Sequence, residues 1–326
     1  MKQQTKELSD SLELMTRAAT LYYLEDLTQA EIAQKLGIMR SRVVRLLKRA
    51  RQEHIVEITV HPHPALNLHL ETALKERFGL LDVLLATDER DDALQRSLVA
   101  QLVAHYLSRN LQDGMSVAIG MGRNIGAIPN HISNVSPRAC RFISALGGSP
   151  QIELLINPDD IARRLAEGFG GTSESLYAPA YAESPVMRDM FMSHEMIQQT
   201  LQKARQADIA LVGVGDAYDN SAVVQIGCFT ADEMRQLRRA GAIGDMLGFF
   251  FDINGQPLTD GMEHRVVGLS GEDLRIIPLV LAIASESEKV QAILGALRSG
   301  IVSVLATSIN NAHALLELDK EREQDA

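Results

Sequence analysis

The stretch Leu27-Thr28-Gln29-Ala30-Glu31-Ile32-Ala33-Gln34-Lys35-Leu36-Gly37 decides how the front of this 326-residue chain folds. Thr28 and Glu31 have the spacing of a capping box, in which a hydroxyl and a carboxylate satisfy backbone N–H groups at a helix start. Leu27 and Ile32 stand at the staple positions that flank such a cap. Gly37 is able to take the positive φ that ends a helix. A short turn through Ile38 and Met39 leads into a second helix. Helix, glycine turn, helix predicts a helix-turn-helix, supported by an earlier apolar helix carrying Ala18, Leu21, Tyr22 and Leu24.

The second helix says which way this unit faces. Val43, Leu46, Leu47 and Ala50 recur at i, i+3, i+4, i+7 and form one apolar stripe that packs inward. At about 100° per residue, the opposite face carries Ser41, Arg42, Arg45, Lys48 and Arg49. Arginine pairs bidentately with guanine in a major groove, while lysine and serine more often hold phosphate. Val44 lies at the border and is placed to touch a thymine methyl. Arg40 and Arg51 lie nearer the buried side and read as backbone contacts, and Thr28 and Gln29 complete the expected DNA-facing set. The competing reading is a merely solvated basic helix. A capped helix, a glycine turn and a cationic helix coinciding within a short stretch favour DNA.

Charge distribution agrees with a local binding surface. Residues 1–60 hold ten Lys/Arg against eight Asp/Glu, while the remaining residues hold 22 against 34, so a slightly basic front precedes a strongly acidic body. The net charge of −10 excludes a protein that binds nucleic acid over its whole surface. No apolar run reaches the ~18 residues a membrane span needs, and no signal peptide is visible at the N-terminus. Cys140 and Cys228 stand far apart in apolar surroundings without metal-ligand spacing, which reads as two reduced core residues of a cytoplasmic protein.

Beyond the helices, Val56, Ile58 and Val60 alternate as in a strand that could form a wing. His61-Pro62-His63-Pro64 follows as a linker, because two prolines forbid a helix and break sheet pairing. Its two histidines have no carboxylate or thiol beside them, so no metal site is expected. Strands are predicted over residues 82–86, 115–120, 141–145, 209–214, 246–251, 277–284 and 302–306. Helices are predicted over 66–78, 91–111, 159–168, 194–207, 230–239, 287–298 and 308–316. Their alternation predicts a doubly wound, Rossmann-like α/β domain, whose ligands bind beyond the carboxyl ends of the strands. The charged run 317–326 is expected to fray.

Three glycine turns follow strands. Gly120-Met121-Gly122-Arg123-Asn124 leads into a helix, where glycines let backbone N–H groups approach an anion. Gly126 nearly completes a dinucleotide fingerprint, but it comes one residue late and no acid ends the next strand near Phe142. No nicotinamide or other cofactor is therefore expected. Gly147-Gly148-Ser149 repeats the phosphate logic, and Gly213-Val214-Gly215-Asp216 is the third such turn. A plain tight turn is the alternative for each. Asp245 precedes a very apolar strand, where an acid needs a partner, and an ordinary helix-cap or loop aspartate is one reading of it. Lys289 either pairs with Glu286 or contacts a phosphate. Asp216, Asp219 and Asp245 would be the acid–base candidates of an isomerase or deaminase, but no histidine–carboxylate pairing accompanies them.

Residues 27–56 resemble the N-terminal module of the SorC family of sugar-responsive regulators. The segments at 118–128, 145–150, 207–216, 241–258 and 264–278 resemble that family's effector domain in the same order. The resemblance implies a winged-helix-like helix-turn-helix joined to a domain similar to glucosamine-6-phosphate deaminase and ribose-5-phosphate isomerase. Such a domain binds a phosphorylated sugar without turning it over. It also implies a homo-oligomer, dimer or tetramer, that engages operator DNA; a dimer presents two recognition helices about one helical turn apart, so a palindromic operator is expected. The effector residues it implies are Gly120, Gly122, Arg123, Asn124, Gly147, Gly148, Ser149, Gly215, Asp245 and Lys289. The expected domains are 1–60 for DNA, 61–65 as linker, 66–318 for effector and oligomerisation, and 319–326 as tail. Met39 and Val44 replace the family's usual small hydroxyl residues, and His54 replaces a glycine. Ala284-Ser285-Glu286-Ser287 replaces a Gly-Gly loop, and Ser308 stands where an aspartate is common.

Overall fold

The computed structural model describes residues 2–25, 27–53, 55–56, 67–133, 135–149, 156–258 and 263–324. The chain divides into two compact units, Met1–His63 and Pro64–Ala326. No described helix is long and apolar enough to cross a membrane.

Three helices make the first unit: α1 (Lys2–Tyr23), α2 (Gln29–Leu36) and α3 (Arg40–Gln52). The capping box forms as expected. The Thr28 amide donates to Glu31 Oε2 at 2.8 Å, and Thr28 Oγ1 accepts from the Glu31 amide. Gly37 ends α2 with φ 65°. Met39 supplies no side-chain cap to α3. Met15, Ala18 and Leu21 of α1, Ile32 of α2, and Val43, Leu46, Leu47 and Ala50 of α3 close one small core. Leu24, expected to share it, instead lies past the end of α1 and is 80% exposed. The linker at 61–64, His54 and all of the expected wing except Val56 lie outside the described residues.

The second unit holds β1 (Asp82–Ala86), β2 (Ser116–Ile119), β3 (Arg141–Ser144), β4 (Thr172–Glu174), β5 (Ile209–Gly213), β6 (Gly215–Asp216), β7 (Gly244–Met246), β8 (Phe249–Phe251), β9 (Leu279–Ile283) and β10 (Val304–Ser308). Seven form a parallel sheet in the order β1-β10-β9-β5-β2-β3-β4. Central strands such as β9 and β10 are nearly continuous apolar runs, as burial on both faces requires. Two large apolar clusters flank the sheet, one on each side, so helices cover both faces. Strand β4 was not predicted. It is a three-residue polar edge strand, Thr172-Ser173-Glu174, and one free side leaves it without an apolar signature.

Residues 246–251, read as one strand, are two. β7 and β8 form an antiparallel hairpin with Met246 opposite Phe249. Leu247 (φ 54°) and Gly248 (φ 78°) make its two-residue turn, and positive φ at both central positions is what such a hairpin requires. A leucine there carries no turn signal, and among the described residues Leu247 is the one non-glycine with positive φ. The C-terminal run also differs from expectation. The helix Ile309–Gln324 continues through residues 319–324. Asp319 is buried between Arg77 and Arg298, whose Nη2 lies 2.6 Å from Asp319 Oδ1.

Candidate functional site

On α3 the apolar stripe is buried and the cationic face is not. Ser41, Arg42, Val44, Arg45, Lys48 and Arg49 are all exposed. Ser41, Arg42, Arg45 and Arg49 line one shallow surface with Gly37, Ile38 and Met39. Thr28, Gln29 and Arg40 line a second with Tyr22 and Tyr23. Arg49 also binds Glu53 at 2.6 Å, so part of its charge is spent within the helix. Arg40 and Arg51, expected nearer the buried side, are exposed too. Long side chains at the edge of a buried stripe carry their charged ends back to water.

In the second unit, β2 has β3 on one side and β5 on the other, and the strand order reverses there. That switch point is where open α/β sheets bind ligands. A cavity of about 90 Å³ lies at the carboxyl ends of these strands. Its polar lining includes Arg123, Asn124, Tyr181, Asp245, Glu286 and Lys289, and Met121, Val214 and Leu247 are among its apolar walls. Gly122 and Gly215 also line it. A more open cleft of about 550 Å³ shares Arg123, Ala222, Glu286 and Lys289 with it and adds Arg96, Asp216 and Ser221.

Six of the ten expected effector residues therefore meet: Gly122, Arg123, Asn124, Gly215, Asp245 and Lys289. Gly120, Gly147, Gly148 and Ser149 do not line this cavity. The amide of Gly120 donates to the Leu211 carbonyl, that of Gly147 to Val267 and that of Gly148 to Ala178. A β-carbon at Gly147 would run into the carbonyls of Ala178 and Pro179, and one at Gly148 into the Asn157 side chain. These glycines thus permit close passage of neighbouring chain. Even Gly122, which does line the cavity, donates its amide to the Ile156 carbonyl at 3.2 Å. The phosphate cradle read from glycine spacing is not assembled from these four amides.

Lys289 is likewise engaged, because its Nζ lies 3.2 Å from Glu286 Oε2. Glu286 also accepts from Asn124 Nδ2 at 2.9 Å and faces Arg96 at 3.5 Å. Burial by itself would raise the Glu286 carboxyl, but the Lys289 charge and the Asn124 amide outweigh it and hold the group down to about 2. Asp245 has the opposite fate. Burial pushes it up to about 6, despite a bond from the Gly248 amide to Oδ2 at 2.9 Å. Asn124 is 5% exposed, and its Oδ1 has no hydrogen-bond partner among the described residues. Glu286 was legible only as a possible partner for Lys289. Tyr181, from a distant loop, had no sequence signal.

Two family models match. One, described as "Putative sugar-binding domain", covers residues 63–317, and the other, sigma-70 region 4, covers residues 19–53. The crystal structure of the full-length sorbitol operon regulator SorC from Klebsiella pneumoniae superposes with a TM-score of 0.78 at 28% identity, covering 94% of this chain and 98% of that one. The chain belongs to the SorC family. A sugar-binding domain of a transcriptional repressor from Vibrio fischeri matches at 47% identity and a TM-score of 0.73, over 78% of this chain and 99% of that one. The transcriptional regulator LsrR of Escherichia coli O9:H4 is 30% identical over 93% of this chain and 94% of its own length. As a SorC-family member, the chain pairs a helix-turn-helix with a sugar-binding domain.

Proposed function

We propose that this chain is a DNA-binding transcription regulator of a carbohydrate-utilisation operon, controlled by a carbohydrate held in the cavity at the β2/β5 switch point. The observation that carries the DNA half is the exposure of Ser41, Arg42, Arg45 and Lys48 opposite the buried stripe of α3. Such a helix is free to enter a major groove. Support for the carbohydrate half comes from buried acceptors, Asp245 and Asn124 Oδ1, set among apolar walls. That lining suits a small hydroxylated molecule. A phosphate on that molecule is implied by the family resemblance alone.

In this reading the effector is bound and not turned over. Asp216 accepts from the Tyr218 amide and Asp219 pairs with Arg235. The chain acts as a homo-oligomer, so that two recognition helices meet a palindromic operator about one helical turn apart. A carbohydrate shifts DNA affinity only by binding one arrangement of that oligomer better than another. The test is fluorescence anisotropy of the full-length protein on DNA selected by it from a random pool, titrated with a carbohydrate panel. A selected palindrome whose affinity moves with one carbohydrate is expected. Failure to select any DNA sequence overturns the reading.

A further inference from the structure

The helix Pro185–Ser193 has two apolar sides, and the fold of its own chain covers one of them. Phe191 and Met192 pack on the core, and Arg188 Nε donates to the Val266 carbonyl at 3.1 Å. At about 100° per residue, Val186, Met187 and Met190 fall on the other side. There they are 72%, 40% and 69% exposed. The next helix, Glu195–Arg205, begins after the single residue His194. It adds Met196, 58% exposed, in its first turn. A helix on a solvated surface ordinarily turns charged and polar residues outward. This one does not.

The four side chains leave roughly 400 Å² of apolar surface in water, close to the apolar share of one side of a standard protein–protein interface. Patches of that size on a soluble protein mark interaction sites. Charge says what covers this one. Between residues 185 and 197 the charged side chains are Arg188, Asp189 and Glu195. Arg188 Nη1 binds Asp189 at 3.1 Å, and Glu195 accepts from Gln199. The patch therefore offers no unpaired cation to a nucleic acid or an anionic membrane. Residues 61–326 hold 34 Asp/Glu against 22 Lys/Arg. Two copies thus repel over most of their surfaces and approach best where charge is lowest. Arg188 and Asp189, adjacent on one turn, present both signs. Packed antiparallel on its own copy, the helix meets opposite charges, a self-complementary pattern suited to a twofold axis. Four of the chain's 12 methionines lie between 187 and 196, and unbranched methionine adapts its packing to an identical neighbour. We propose that Val186, Met187, Met190 and Met196 form the centre of a twofold interface between copies of this chain. This rests on the homo-oligomer proposed above and names a surface that makes it.

The experiment is sedimentation velocity of the full-length protein over a concentration series, with far-UV circular dichroism to check folding. Wild type should run as a dimer or tetramer. Met190→Glu combined with Met196→Glu should keep the wild-type spectrum while self-association weakens at least ten-fold. A folded variant with the wild-type mass distribution overturns the inference and leaves the homo-oligomer reading standing. Wild type that runs as a monomer throughout overturns both. Should the double variant misfold, Met190→Cys decides. The native Cys140 and Cys228 are buried, so a short bismaleimide should join two copies through position 190 and leave wild type unlinked. Absence of that cross-linked dimer overturns the inference.

Discussion

Gly215 and Asp245 are paired across the β6–β7 ladder, and the Asp245 carboxylate occupies the space a β-carbon at position 215 would need. The glycine and the acid are thus one feature: the chain at 215 lacks a side chain so that a buried carboxylate can face the cavity. Leu247 and Gly248 complete it, because their positive-φ turn brings the Gly248 amide back onto Asp245 Oδ2.

Gly215→Ala should therefore destabilise the protein by roughly 1–3 kcal/mol, the usual range for overpacking, and weaken the carbohydrate response. The cost should fall by at least half in an Asp245→Ala background. Equilibrium urea unfolding of both singles and the double gives the coupling. Additive costs would show that the two residues do not compete for the same space.

Asp245→Asn separates stability from response. The native carboxyl titrates at about 6, above the unfolded value near 3.8. A proton is therefore bound more tightly in the native state, and wild-type stability falls as pH rises through that window. The asparagine variant avoids this loss. It should exceed wild type by roughly 1–3 kcal/mol at pH 8 and converge with it near pH 4. Urea unfolding at the two pH values reads the difference, while the variant's carbohydrate response should be lost.

Arg45→Ala should weaken operator binding by roughly ten- to hundred-fold, as loss of a base or phosphate contact does, with no change in melting temperature. Arg49→Ala should lose less, since its guanidinium already binds Glu53 within the helix. Anisotropy at two salt concentrations checks both. Equal losses would place Arg49 on DNA as squarely as Arg45.

Ending the chain after Leu318 should be costly. Asp319 is buried between the partly exposed Arg77 and Arg298, and removing one member of such a partly screened ion network costs roughly 1–3 kcal/mol. Asp319→Ala should reproduce most of the loss in a thermal melt. A truncation without effect would show that the last turns of this helix carry no stability.

The front of the chain was legible almost residue by residue. The Thr28–Glu31 cap, the Gly37 stop and the Val43–Ala50 stripe are all local, since each acts within one or two helical turns. Leu24 misled because an apolar residue one step past a helix end has the same periodic position as one inside it. The central strands were legible because burial on both faces writes itself into composition. Edge strand β4 and the β7–β8 hairpin were not. The first is half solvated, and the second turns on a leucine held at positive φ only by what surrounds it.

Glycine spacing suggested three anion cradles, and the structure found other uses for most of those amides. Spacing reveals where the backbone is free to bend; it does not reveal which carbonyl will take each N–H group, because Val267, Ala178 and Ile156 come from elsewhere in the chain. Sequence alone determined the capped, two-faced helices and the buried strands, since propensity and burial period act between near neighbours. Tertiary structure decided the character of the cavity, because its charge is a sum over residues from separate loops. Only folding places Glu286 beside Asn124 and Arg96.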